Sequence, residues 1–520
     1  MQKFILTTYF ILITFLAFTQ TQGSLDASFG TNGIVKSSLS SLSDRSTAII
    51  EQKDGKILVY GHSIDLATFT AVPSTQLVRY NTNGTLDSTF GILGKVNTKS
   101  DTAGYYGFAI ALQLDGKIVV AGLQNNNLCV MRYNSNGTLD LSFDSDGIAV
   151  LKIQGNVSEA HTLAIQPDGK ILVAGSIALF NAPSSYAFLV RFNTNGSLDN
   201  TFNSIGYVKN ILSSNSIDGA YDMVIQSDGK ILICGYSVVT ETTGYNYTSF
   251  VYRYNTNGTI DNTFGVNGVA KQSNSRATSI KLMSNGKMVV GGLIYDNVSF
   301  NPISSNGIYR YNVNGTLDNT FGTNGVVKSN SGKGAYDMAL QRDSKIVLLS
   351  TDIATVGQIN RDIVISRYTV NGILDTTFAI KGVATTKNAI GISDPRITLQ
   401  ADGKILVCGE VKENNKSNFT VLRYNNNIGT SVKSIETTAK VSVYPNPFQS
   451  DVKIKLYDLD VEKLQLRISD AFGQIVVVKN YEKLYKEHDI SINLEQLPSG
   501  LYFITLNSDK IFQSQSLLKL

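Results

Sequence analysis

Short apolar runs alternate with clusters of Gly, Asn, Asp and Ser along most of the chain, a pattern of strands joined by tight turns. AIIEQ (48–52) runs into Lys53-Asp54-Gly55 and out through KILVYG (56–61), and Asp-Gly between apolar runs predicts a hairpin because Gly takes positive φ at little cost. The next run, as in FLVRFN (188–193), is apolar at nearly every position, as in a strand covered on both faces. It ends in Asn-Thr-Asn-Gly, a second turn. LDSTF then reads as a short turn whose Asp can bond N–H groups two residues on, and a GxV segment such as Gly325-Val326-Val327 supplies a last strand.

This unit recurs. Its Leu-Asp motif falls at Leu25, Leu86, Leu139, Leu198, Ile260, Leu317 and Leu374. The turn of QxDGKILVxG centres on Asp54, Asp115, Asp168, Asp228, Asn285, Asp343 and Asp402, and the third run ends at Arg79, Arg132, Arg191, Arg253, Arg310, Arg367 and Arg423. Seven copies at a period of about 58 residues make seven units of four short strands, and a sheet that small buries its faces only by stacking. The sixth copy, Asp343-Ser344-Lys345, loses its turn Gly, which predicts a looser turn there. The chain enters the repeat at Leu25, after the third strand, and leaves it at Tyr424-Asn425, just after a third strand. Residues 25–36 are therefore a fourth strand without a sheet, and the last sheet lacks one. Closing a ring pairs them, so the pattern predicts an all-β chain with a seven-bladed β-propeller, its last blade completed by the N-terminal strand.

After residue 430 the pattern changes. Residues 431–440 form a polar linker, and 441–520 alternate apolar and polar in VKIKL (452–456), LQLRI (464–468), ISINL (490–494) and LYFITL (501–506), which predicts a small Ig-like antiparallel β-sandwich. At the other end, MQKFILTTYFILITFLAFTQTQG (1–23) has one early Lys, an apolar run of about 15 residues and then small polar residues. That is the build of a signal peptide, short of the roughly 20 residues a bilayer span needs, and no other long apolar segment predicts a membrane span in the mature chain.

LDxxFGxxG, QxDGKILVxG and RYNxNG over residues 24–430 resemble the delta-60 repeat family of bacterial secreted β-propellers, a likeness that is informative on fold and nearly silent on chemistry. Val443-Tyr444-Pro445-Asn446-Pro447-Phe448, Asp470-Ala471-Phe472-Gly473-Gln474-Ile475-Val476 and Leu497-Pro498-Ser499-Gly500-Leu501-Tyr502 resemble the type A C-terminal sorting domain of the type IX secretion system of Bacteroidota. The second resemblance implies that the secretion machinery is a partner through residues 441–520, with Tyr444, Pro445, Asn446, Pro447, Gly473, Pro498, Gly500, Leu501 and Tyr502 as its motif. It also implies a secreted or surface-attached product.

Composition narrows the chemistry. Charged residues are 17% of the chain, net charge is +4 and no Lys/Arg run stands out, so a nucleic-acid partner is not expected. Cys129, Cys234 and Cys408 suit small buried positions, since Cys234 and Cys408 fall where Ala121 and Ala174 stand in other repeats. No cofactor or metal is expected: zinc spacing is missing, and Asp144-Ser145-Asp146-Gly147 lacks the further oxygen ligands of a calcium loop. His62, His161 and His488 are far apart in sequence and read as surface residues, the first two in inter-strand loops, and no catalytic motif is found. The Asp-Gly-Lys and Leu-Asp pairs recur in every unit, which marks them as architecture, because catalysis needs a residue once.

What does not repeat lies on the opposite face, in the loops 62–75, 176–186, 236–249, 293–306 and 350–361. Their aromatic residues Phe180, Tyr186, Tyr245, Tyr247, Tyr295 and Phe300 are the candidate ligand-binding set, suited to a glycan or a surface protein. The expected function is a non-enzymatic binding or adhesion module. The alternative, a polysaccharide hydrolase or lyase, requires acidic residues outside the repeat, such as Asp65, Glu241 and Asp296, gathered within about 10 Å.

Overall fold

The computed structural model of the 520-residue chain describes residues 21–520 apart from 66–71, 100–103, 154–155, 180–183, 297–298, 301–302, 330, 353–359, 392–394, 415, 427–439, 458–460, 471–474, 485–487 and 509–511. Residues 1–20 of the expected signal peptide, most of the linker, Phe180 and Gly473 lie outside the described residues. The chain divides into two compact units, residues 1–428 and 429–520.

The first unit is built from antiparallel four-stranded sheets, each made of four consecutive strands but for the last. The first strands of the sheets are Ser43–Glu51, Tyr105–Leu112, Asn156–Ile165, Ser216–Ile225, Ser275–Leu282, Gly334–Leu340 and Arg396–Leu399. Each packs against the first strand of the next sheet, and the seventh returns to the first, so these strands ring an axis. The seventh sheet is closed by the chain's start: Ile34–Ser37 pairs with Lys416–Tyr424, Ile34 opposite Leu422 and Ser37 opposite Phe419. Asp26 N–H donates to Arg423 O at 2.8 Å and Arg423 N–H to Gly33 O at 2.9 Å, extending the seam.

The recurring motifs converge on one node per blade. The Arg that ends each third strand donates through Nε to the Asp of the Leu-Asp pair at 2.6–2.8 Å, and the Lys of the Asp-Gly-Lys turn reaches the same carboxylate at 2.7–3.2 Å. The guanidinium carbon lies 4.3–4.8 Å above the buried Phe three residues past that Asp, so a desolvated cation is held by both charge and a ring face. Its Nη1 then donates forward to the neighbouring blade, as Arg191 does to Thr256 O at 2.6 Å and Arg253 to Val313 O at 2.6 Å. Arg423 completes the circuit by donating to Thr82 O in the first blade. In the seventh node the carboxylate is Asp26, from the N-terminal segment, so the same contacts that stack blades also lock the ring. Burial works against the charge of Asp26, but the Ser28 hydroxyl and amide, Arg423 and Lys404 outweigh it and lower its pKa to about 2.

Two expectations change in detail. The turn at Ser344 is not looser: Ser344 adopts φ 64° and its N–H donates to Gln341 O at 2.9 Å, matching the Gly turns at the cost of a left-handed non-Gly residue. His62 and His161 are on strands, Ile57–Ile64 and Asn156–Ile165, not in surface loops; His62 is buried and His161 faces the axis. The three cysteines are buried free thiols.

In the second unit, Lys440–Tyr444, Asp451–Tyr457 and His488–Asn493 form one sheet, and Ile475–Leu484, Val461–Asp470, Gly500–Asn507 and Phe512–Lys519 form another. Val452, Ile454, Leu464, Leu466, Ile490 and Ile504 fill the core between them. The Tyr-Pro-Asn-Pro-Phe motif fastens the last strand: Leu518 N–H donates to Asn446 Oδ1 at 2.9 Å, Asn446 Nδ2 to Ser516 O at 2.7 Å, and Phe448 N–H to Leu518 O at 2.9 Å. Tyr502 donates its hydroxyl to Pro498 O at 2.7 Å, tying the Leu-Pro-Ser-Gly turn to the strand that follows it.

Candidate functional site

Six of the seven first strands carry a β-bulge at one repeat position, where the extra residue is Thr47, Phe108, His161, Tyr221, Thr278 or Tyr336. A bulge sets two residues against one and re-aims their side chains. Close approach of the neighbouring strand is what the Gly of ILVxG permits: a Cβ on Gly175 would lie 1.8 Å from Glu159 O, and one on Gly235 would lie 1.9 Å from Gly219 O. Architecture thus places one residue per blade beside the axis, and the sequence varies it.

Around the axis the strands enclose a cavity of 290 Å³ lined by residues of all seven first strands. The position after the bulge is Ala48, Ala109 and Thr162 in the first three blades and Asp222, Ser279, Asp337 and Arg396 in the other four. Ser279 Oγ lies 3.0 Å from Asp222 Oδ2 and 2.9 Å from Asp337 Oδ1, so the nearest oxygens of the two carboxylates are no more than about 6 Å apart. Lys281 Nζ, 2.6 Å from Asp222 Oδ2 and 3.7 Å from Asp337 Oδ1, offsets one of the two negative charges. Burial works against its charge, but the two carboxylates outweigh that and raise its pKa. Asp222 Oδ2 also accepts from Ile280 N–H at 2.9 Å, and Oδ1 accepts from Met223 N–H at 2.9 Å.

From this cavity a line of rings leads to the loop face. Phe108 and His161 are 6.3 Å apart edge to face, His161 stacks on Tyr221 at 4.7 Å, and Tyr221 stacks on Tyr236 at 4.7 Å. The Tyr221 hydroxyl donates to Tyr236, whose own hydroxyl accepts from Arg276. Arg276 lies 4.0 Å over the Tyr236 ring and 5.9 Å from Tyr247, and Tyr247 stacks on Tyr295 at 4.3 Å. Burial, and after it the Arg396 charge, lower the His161 pKa to about 4, so the imidazole in this line is neutral at pH 7.

Of the candidate aromatic residues, Tyr245, Tyr247, Tyr295 and Phe300 come together. Tyr245 is 6.3 Å from Tyr247 and 5.5 Å from Phe300, and it is positioned by the long hairpin Ile231–Glu241 and Gly244–Tyr254, whose tip pairs with Ser299 of the next blade. Phe300 is 54% exposed and Tyr245 36%, enough free ring for a partner. Tyr186 stands apart, under Lys209 at 5.6 Å. The acidic residues named for the enzymatic alternative are each engaged close by: Asp65 with Ser41, Glu241 with Asn246 at 3.0 Å and Asp296 with Lys328. No contact among the described residues joins them. Asp222, Asp337, Lys281 and Arg396 carry no sequence motif; the signal was in two repeat columns, Asp222, Asp337 and Arg396 where sister blades carry Ala, Thr or Ser, and Lys281 where they carry Ile, Ala, Val or Thr.

The family model described as a domain of unknown function (DUF5122) β-propeller matches residues 52–90, 113–143, 166–202, 226–264, 284–321 and 400–427. It passes over the sixth repeat, where Ser344 replaces the turn Gly. The secretion system C-terminal sorting domain matches residues 442–519. The chain is a β-propeller repeat protein with a type IX sorting tail. The tail directs this propeller protein through the type IX secretion system to the cell surface or beyond it. Among the described residues no helix is long and apolar enough to cross a membrane. A search of curated proteins finds no match. Solved structures resembling the propeller protein include PorZ, a surface component of the type IX secretion system of Porphyromonas gingivalis, at 10% identity and TM-score 0.30, covering 93% of this chain and 70% of that one. A Lactobacillus plantarum protein aligns at 9% identity and TM-score 0.38 over 84% of this chain and 99% of that one. An exo-β-1,3-galactanase of Phanerochaete chrysosporium aligns at 11% identity and TM-score 0.28 over 83% and 97%. Alignments this loose carry no implication for activity.

Proposed function

We propose that this exported protein is a binding module: residues 24–430 hold a ligand through the tyrosine-rich loop face, and residues 441–520 serve export. The observation that carries this reading is the group Tyr245, Tyr247, Tyr295 and Phe300, with Arg276 and Tyr236 behind it, on residues the repeat does not require. Tyr245, Tyr247 and Phe300 are partly exposed over the buried Tyr295, on which Tyr247 stacks, and offer flat apolar faces with two hydroxyls at their edges, at low entropic cost on binding. That chemistry suits glycans, whose C–H faces stack on rings. Hydrolysis would need a matched acid and base, and among the described residues the acidic pair at the axis shares a lysine and a serine, with Asp222 Oδ2 accepting from Ser279, Ile280 and Lys281 together.

The reading is tested by exposing the full-length mature protein to a glycan array. Selective retention of a group of related glycans is expected. Retention of none, or steady cleavage of the glycans retained, would sink it.

A further inference from the structure

The axial cavity carries two groups that the architecture does not use up. Asp337 Oδ1 accepts from Ser279 Oγ at 2.9 Å and Met338 N–H at 2.7 Å, but Oδ2 takes only Ile397 N–H at 3.1 Å. Arg396, one residue before that N–H, lines the same cavity half-buried, and its guanidinium makes no hydrogen bond or ion pair with any described residue. An acceptor with a spare lone pair and a five-donor fork therefore face one space. The charges of the wall balance, Lys281 and Arg396 against Asp222 and Asp337 with His161 neutral, so a ligand of either net charge would meet an opposing group. A hydroxyl is the neutral group that donates to a carboxylate while accepting from a guanidinium. Part of the wall, Ala48 and Ile50 of the first blade with Phe108, Ala109 and Ile110 of the second, is apolar, as one C–H face of a pyranose requires. Tyr221 lines both this cavity and a second one of 380 Å³ between the third and fourth blades, so one ring of the line leading to the loop face walls both spaces.

We propose that the axial cavity binds a single neutral sugar residue, the end of a glycan chain whose remainder lies on the tyrosine surface, with Asp337 accepting from and Arg396 donating to its hydroxyls. At 290 Å³ the cavity is near the lower limit of small-molecule sites, roughly 300 Å³, which suits one ring and no more. Walls drawn from seven strands favour a chain end over a mid-chain residue. This proposal rests on the glycan reading above, and its test separates the two.

The full-length protein is titrated calorimetrically with glucose, galactose, mannose and N-acetylglucosamine, with glucuronic acid, with tetraglutamate, and with a neutral tetrasaccharide retained on the array. At least one neutral monosaccharide should bind, and Arg396→Gln, which breaks no side-chain hydrogen bond or ion pair among the described residues, should weaken it at least tenfold with the melting temperature unchanged. Asp337→Asn should weaken it similarly; because Asp337 also braces two strands, its melting curve is recorded alongside. Tyr247→Ala should weaken the tetrasaccharide and leave the monosaccharide untouched. Failure of all four neutral sugars to bind, or wild-type affinity in Arg396→Gln, overturns the cavity site while tetrasaccharide binding would keep the surface reading. Preference for glucuronic acid or tetraglutamate overturns it in favour of an anion site. Monosaccharide binding without any array signal removes the tyrosine surface and leaves the cavity.

Discussion

The turn face and the axis of this propeller are made by opposite uses of the same repeat. On the turn face, Arg, Lys, Asp and Phe recur seven times and meet in seven equivalent nodes. At the axis, one column reads Ala, Ala, Thr, Asp, Ser, Asp, Arg, and the column before it reads Thr, Phe, His, Tyr, Thr, Tyr over the first six blades. The nodes are buried and saturated, which is what stacking a blade demands, and no blade can dispense with one. The axial positions are relieved of that duty, because the bulge that exposes them is maintained by backbone and a facing Gly. Where the repeat is strict it reports stacking; where it relaxes, the side chains are free to serve a ligand.

The strongest way to break this contrast is to remove the segment that serves the turn face without belonging to it. Deleting residues 21–37 takes away a strand, Asp26 and Phe29, leaving Arg423 buried and unpaired. A lost partner to a buried charge costs ~3–5 kcal/mol and a large core aromatic about as much again, against a total margin of ~5–15 kcal/mol. Loss of the cooperative unfolding transition, read by circular dichroism, is expected. Next comes a single node: Arg253→Ala should cost ~3–5 kcal/mol in urea denaturation, since Asp261 is left buried without its main partner, while Arg396→Gln at the axis should stay within about 0.5 kcal/mol. Equal costs for the two would erase the distinction.

Acid separates the regions by pH. His62 and His161 have pKa values near 4 in the fold, lowered chiefly by burial, against about 6.5 in an unfolded chain. Between those values the unfolded state binds more protons, so stability falls as pH drops from about 6.5 to 4. The node carboxylates behave at lower pH: Asp26 and Asp375 sit near 2 against about 3.9 unfolded, so their contribution persists above about 4 and is lost as pH falls from there toward 2. Thermal melts from pH 7 to pH 2.5 should show a shallow decline followed by a steep one below about pH 4. A steep loss already complete at pH 5 would contradict the assignment of acid sensitivity to the nodes.

Much of this was legible in the sequence. The period, the hairpins at Asp-Gly-Lys, and the pairing of residues 25–36 with the strand ending at Tyr424 all follow from counting, because turn chemistry and repeat phase are local properties. The Tyr444 to Phe448 motif was visible too, though its clasp on Leu518 was not, since that contact spans the domain. The axial groups escaped for a physical reason. A bulge breaks the two-residue period that tells which side of a strand a residue faces, so neither His161 nor Asp222 could be aimed from sequence. The meeting of Asp222, Ser279 and Asp337 depends on the curvature of three blades. Tyr245, Tyr247, Tyr295 and Phe300 were singled out because irregular loops carry their own signal, and the fold brings these rings together; Tyr186 shared that signal and stands apart.

The largest expected change in function, at a small cost in stability, belongs to the tyrosine surface. The direct measurement is the affinity of the Tyr245→Ala/Tyr247→Ala double variant for a glycan retained by the wild-type protein. Both side chains are partly exposed, so the melting temperature should move by only a few degrees while affinity falls at least tenfold. Unchanged affinity in a folded double variant would contradict the claim that binding resides in the residues the repeat leaves free.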